Sequence, residues 1–134
     1  MRDITLIGNL TRDFELKVLQ NDSTVANSAV AVNARSKDPK TGEWKDGDAH
    51  YFNISVWGEV QAENVIESLT KGDRVFVFGQ VNMKEVEQDD GSKRVYSEVR
   101  VQHIGPELRW ATCSIQRNGK GGSTKKYSTP EEVF

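Results

Sequence analysis

Two aromatic rings, Tyr51 and Trp57, flank Asn53 and Ser55 in the run YFNISVW at 51–57. Successive side chains of a strand point to opposite faces, so Phe52, Ile54 and Val56 form a core side and Tyr51, Asn53, Ser55 and Trp57 the other. Rings set among small polar groups, with Lys and Arg nearby, make a surface suited to single-stranded nucleic acid. Bases stack on the rings at roughly 1 to 3 kcal/mol each, and cations follow the phosphates. The preceding run, TVANSAVAVNAR at 24–35, ends in Arg35, and the segment beyond it offers Lys37, Lys40, Trp44 and Lys45. A packing reading fits the same residues: Trp57 would cap the core, Tyr51 would lie under a loop, and Asp38, Glu43, Asp46 and Asp48 match the lysines. Periodicity alone leaves the two readings open.

Other chemistries find less support. His50 and His103 stand alone, Cys113 has no motif around it, and the carboxylates fall mostly in turns beside positive neighbours. There is no His/Cys spacing for a metal, no phosphate-cradling glycine loop and no partner for an internal disulfide, so neither enzyme, cofactor nor metal is expected. The formal net charge is −2, with 36% hydrophobic and 28% charged residues in 134, which bounds the chain to one domain and announces no polyanion ligand globally. Residues 1–114 carry 14 Lys/Arg against 18 Asp/Glu, and residues 115–134 carry 4 against 2, a mildly acidic body and a mildly basic end. The N-terminus has charges at positions 2 and 3 and too short an apolar run for a signal peptide or anchor, so the expected address is the cytoplasm with no membrane contact, to which a single-strand-binding role would add association with the nucleoid.

The elements that must position the rings are mostly strands. Ile4, Leu6, Gly8 and Leu10 alternate with Thr5, Ile7 and Asn9, and Phe14 to Leu19 continues until Asn21-Asp22-Ser23 turns. Residues 24–35 predict a second strand, 36–48 a long turn or flexible hairpin tip, and 51–57 a third strand. Val60, Ala62, Asn64, Val65, Ile66 and Leu69 then fit a short helix, closed by Lys71-Gly72. Two strands follow from Arg74, joined at Asp89-Asp90-Gly91-Ser92, and a last short strand is predicted over about Glu107 to Ile115. One helix between the third and fourth strands is the order of an all-β, five-stranded Greek-key barrel of the OB type; a sandwich would lack it. The domain is read as 1–114, with 115–134 a flexible tail poor in apolar residues. Phe76 and Phe78 read as a subunit interface or second core patch rather than a stacking pair.

Several stretches together resemble the bacterial single-stranded-DNA-binding proteins, especially those of high-GC Gram-positive bacteria: ITLIGNLTRDFEL at 4–16, VANSAVAV at 25–32, TGEWKDG at 41–47, AENVIESLTKGDRVFVFGQV at 62–81 and IGPELRWAT at 104–112. The resemblance implies an OB-fold protomer in a homotetramer, with single-stranded DNA wrapped around it in replication, recombination and repair. It implies stacking roles for Tyr51 and Trp57 and phosphate contacts for Lys17, Lys37, Lys45, Lys71, Lys84 and Arg94; Trp44 and Arg35 join the candidate site from their places beside the rings. Such contacts are sequence-independent and weaken with salt.

The departures from the family pattern are specific. Ser36 and Val86 stand where many members carry Trp, and Glu59 and Glu85 replace frequent lysines. Residues 84–94 sum to −1, which predicts a poor phosphate grip and a weaker or shorter footprint. The chain ends in PEEVF, so Glu131, Glu132 and Phe134 are at most a remnant of the acidic partner-recruiting tip, and an auxiliary paralogue is expected. Cys113 is open to an intersubunit disulfide, although a reduced buried thiol is the expected state in cytosol. Two alternatives are carried forward: an OB barrel that docks a protein, and an RNA-binding barrel, since stacking does not sense the 2′-hydroxyl.

Overall fold

A computed structural model describes residues 2–118, and of residues 34–36 and 46 the backbone alone. The chain-end positions Glu131, Glu132 and Phe134 therefore lie outside the described residues. The first strand, β1 (Arg2–Leu10), alternates as expected, with Leu6, Gly8 and Leu10 buried and Thr5, Ile7 and Asn9 exposed. Thr11 to Asp13 break it, Phe14 turns into the core, and β2 (Glu15–Val18) resumes. Both pieces pair with β3 (Thr24–Lys37), so they are two halves of one bent strand.

The ladder closes on itself. β3 pairs with β4 (Trp44–Trp57); β4 meets β6 (Lys93–Pro106) in a short parallel contact, Asn53–Ser55 against Glu98–Arg100. β6 pairs with β5 (Arg74–Glu87), and β5 with β1, which returns to β3 at Asn9↔Ala31 and Leu10↔Val30. With β1 and β2 counted as one, this is the five-stranded OB barrel. Closure requires glycine at position 8: a Cβ there would overlap the Ala31 carbonyl oxygen.

The helix α1 (Glu59–Ser68) crosses between β4 and β5 and starts at Gly58, whose φ of 109° suits glycine. Ala62, Val65 and the following Leu69 pack against the barrel core of Leu10, Phe14, Val30, Ile54 and Val77. Val60 and Ile66, which share the apolar pattern, stay exposed at the helix flanks.

Two boundaries differ from the sequence expectation. The β3–β4 hairpin is longer, and its turn shrinks to 38–43, because Asp38 organises it: its Oδ1 accepts the Lys40 N–H at 2.8 Å, and its carbonyl accepts the Gly42 N–H. The predicted strand over Glu107–Ile115 is absent. Gly105 and Pro106 do not interrupt β6 but end it, opposite Phe76 and Val75, and proline has no N–H to extend the ladder. Residues 107–118 are turn and coil.

Candidate nucleic-acid interface

Residues opposite each other in a ladder share a face, so the register assembles the outer surface of β3 and β4 row by row. Lys17, Val25 and Trp57 form one row; Glu15, Asn27, Ser55 and Arg100 the next; then Ala29, Asn53 and Glu98; then Ala31 and Tyr51. Tyr51 is 67% exposed. The residues between the rings are small, Ala29 and Ser55 among them buried, and the rings lie six residues apart, roughly 20 Å along a strand.

Trp57 is half-buried and held in place from two sides. Its Nε1–H donates to Ser55 Oγ at 3.2 Å, which occupies the hydroxyl of a serine only 1% exposed. The Arg100 guanidinium sits 4.9 Å from its ring centroid, a cation–π contact. The indole is thus held in one orientation, with a cation over its ring. Arg100 was not found from sequence: its outward position on β6 was legible, but its neighbour on β4 depends on the parallel register.

Of the other expected cations, Lys17 shares Trp57's row. Lys37 stands opposite Trp44, itself 61% exposed, at the far end of the same hairpin. Lys45, itself exposed, reaches the half-buried Asp38 at 3.6 Å, a surface pair that contributes little to stability. The Lys40 N–H and, more weakly, Lys45 hold the Asp38 carboxyl below its ordinary range. Arg35's side chain is outside the described residues. Lys71 is set apart at the barrel end, where its N–H donates to Asp13 Oδ1 at 2.7 Å. Among the described residues no cluster of His, Cys, Asp and Glu could hold a metal ion.

Residues 1–106 match the sequence model of the single-strand binding protein family. This chain belongs to that family. It is 44% identical over 127 residues to the single-stranded DNA-binding protein of Mycobacterium tuberculosis, covering 95% of this chain and 77% of that one. It is 46% identical over 123 residues to the single-stranded DNA-binding protein of Paenarthrobacter aurescens, covering 90% and 71%. The crystal structure of a small single-stranded DNA-binding protein from Streptomyces coelicolor superposes with a TM-score of 0.69 at 26% identity, over 80% of this chain and 94% of that one.

Where this family member departs from the pattern, the β5–β6 hairpin changes the reading. Summed along the sequence it is acidic, but the strands sort its charges by face. Lys84 lies opposite Tyr96 and Val86 opposite Arg94, on the same side as Arg100. Glu85, Glu87, Lys93 and Val95 take the other side, where Lys93 Nζ meets Glu85 at 3.3 Å. Asp90 is spent in the turn, accepting the Ser92 hydroxyl and N–H at 2.6 and 2.9 Å. The side of the hairpin continuous with Tyr51 and Trp57 therefore carries Lys84, Arg94 and the exposed ring of Tyr96, with Glu98 as its acid. Tyr96, absent from the sequence reading, stands two residues before Glu98, as Tyr51 stands two before Glu98's partner Asn53.

The barrel's other outer surface differs. Its rows are Thr5, Phe78 and His103, then Ile7, Phe76 and Gly105, with Ile7 and Phe76 about 40% exposed and the Phe78 and His103 rings 6.2 Å apart. Cys113 is exposed in the coil after β6, which corrects the expectation of a buried thiol. The strand that would have buried it does not form.

Proposed function

We propose that this chain binds and protects single-stranded DNA without regard to sequence, in replication, recombination and repair. The observation that carries the reading is the pre-set Trp57, held by Ser55 and Arg100 on the same small-residue face as the exposed Tyr51. Bases would stack on Trp57 and Tyr51, and Tyr96 would extend the track up the hairpin. Lys17, Arg100, Lys84 and Arg94 would take phosphates, each adding about 0.7 to the salt slope of a single-strand complex. The apolar rows around Ile7, Phe76 and Phe78 would join protomers, as a homotetramer. No helix among the described residues is long and apolar enough to cross a membrane.

The test is a tryptophan-fluorescence titration with oligo-dT, matching RNA and duplex DNA at several salt concentrations, for wild type and Trp57→Ala. Strong quenching by oligo-dT, with affinity lowered by about 2 kcal/mol in Trp57→Ala, is the expected result. Equal weak responses to all three nucleic acids would overturn the reading in favour of a protein-docking barrel, and a preference for RNA would redirect it.

A further inference from the structure

The row between the rings holds a carboxylate that neither stacking nor phosphate contact uses. Asn53 pairs with Ala29 on one side and with Glu98 on the other, and Glu98 pairs in turn with Asn82 on β5. The next row runs Asn27, Ser55, Arg100 and Gln80. Amides therefore floor this part of the face, and Glu98 stands between the two exposed ones, Asn53 and Asn82. Glu98 is itself exposed, and among the described residues no hydrogen bond or ion pair engages its carboxylate. The cation two residues on, Arg100, is turned to the Trp57 ring.

A carboxylate repels the phosphates that the surrounding cations attract, so it fits the other end of a nucleotide, the base. An ionised carboxylate only accepts, through two oxygens. Among the common bases, guanine alone presents two adjacent donors on its Watson–Crick edge, N1–H and the N2 amino group. Cytosine and adenine present an amino group beside a bare ring nitrogen, and thymine one N–H between two carbonyls. In a single strand these edges are unpaired and open to side chains. Tyr51 stands two residues before Asn53, and Tyr96 two before Glu98, roughly 7 Å along a strand, so a base stacked on either ring has an edge within reach of Glu98. Glu15, the other acid of the face, lies on β2 opposite Asn27, two residues from Lys17 and away from both tyrosines.

We propose that Glu98 reads a base: a guanine stacked on Tyr51 or Tyr96 donates its N1–H to one Glu98 oxygen and an N–H of its N2 amino group to the other. The Asn53 or Asn82 amide beside it donates to guanine O6. The contact lays a preference for guanine over the sequence-independent grip of the face, and it rests on the single-strand reading of that face.

Competition against a fluorescently labelled oligo-dT tests this with three short strands: oligo-dT, the same strand with one central guanine, and the same strand with inosine there, which keeps N1–H and lacks the N2 amino group. For wild type, the guanine strand is expected to compete about fivefold better than oligo-dT, the low end for a two-bond base contact, with inosine between them. In Glu98→Gln the advantage is expected to vanish, because the amide turns a donor toward guanine's donors, while oligo-dT affinity holds or rises. Glu15→Gln removes the same charge from the same face and is expected to keep the advantage. Equal competition by all three strands in wild type, inosine matching guanine, an advantage that survives Glu98→Gln, or one that disappears in Glu15→Gln would each overturn the readout and leave single-strand binding intact. An equal loss for all three strands in Glu98→Gln would make Glu98 a structural support and sink the readout as well. Failure of wild type to bind the labelled oligo-dT at all would overturn the single-strand reading itself.

Discussion

Two outer surfaces of the same barrel carry aromatic rings, yet they set those rings in different surroundings. On β3 and β4, Tyr51 and Trp57 stand among alanine, asparagine and serine, with Lys17 and Arg100 in the same rows. On β1 and β5, Ile7, Phe76 and Phe78 stand together, and the only titratable group in their rows is His103. A ring surrounded by small polar residues and cations can take a base on its face and a phosphate beside it. Rings pressed against aliphatic neighbours offer continuous apolar area, which gains most by meeting another protein surface. What surrounds an aromatic, more than the aromatic itself, separates a stacking platform from a contact between subunits.

The sharpest way to break the comparison is to break the barrel that holds both faces. Gly8→Ala places a methyl group into the Ala31 carbonyl where β1 closes on β3, and is expected to cost about 3 kcal/mol in denaturant unfolding, with both faces lost together. Phe76→Asp should separate the faces: assembly measured by sedimentation falls toward smaller species, while affinity for an oligo-dT short enough for one protomer changes by less than about twofold. If short-oligo affinity falls with assembly, the two faces are not independent.

Smaller effects test the sorting of charge on the β5–β6 hairpin. Tyr96→Ala is expected to weaken oligo-dT binding by about 1 kcal/mol, and Glu85→Ala, on the opposite side, to leave it within error. Equal effects from the two would mean that the strand does not divide the hairpin as the register indicates. The smallest effect is at the tip. The Ser92 hydroxyl and then its N–H hold the Asp90 carboxyl below its ordinary value. A carboxylate lowered in the folded state stabilises the turn above its unfolded pKa, and that contribution is lost as pH falls through the lowered value. Amide exchange at Ser92 should therefore speed up, relative to its intrinsic rate, on acidification below the ordinary carboxylate range, while the Trp57 region is unaffected.

The missing tryptophans at 36 and 86 show why a residue count misleads. Val86 lacks a ring, but the adjacent strand places Tyr96 on its side of the hairpin, opposite Lys84. The −1 sum over 84–94 treated as one patch what the pleat divides in two, with Lys84 and Arg94 on one side and Glu85 and Glu87 on the other. The predicted final strand failed for a related reason: β5 begins at Arg74 and has no further residue to lend it as a partner.

What the amino-acid sequence determined by itself is everything that repeats locally. Alternation with period two separated Phe52, Ile54 and Val56 from Tyr51, Asn53, Ser55 and Trp57, and one change of period marked the helix α1. Glycine, proline and aspartate marked the turns, although not their full extent. Only the tertiary structure decided which strand lies beside which. Arg100 on Trp57, Tyr96 beside Lys84 and the meeting of Gly8 with Ala31 are all contacts between strands chosen by barrel closure. The pleat is a property of each residue and its neighbours, whereas register is a property of the closed sheet, and no single strand contains it.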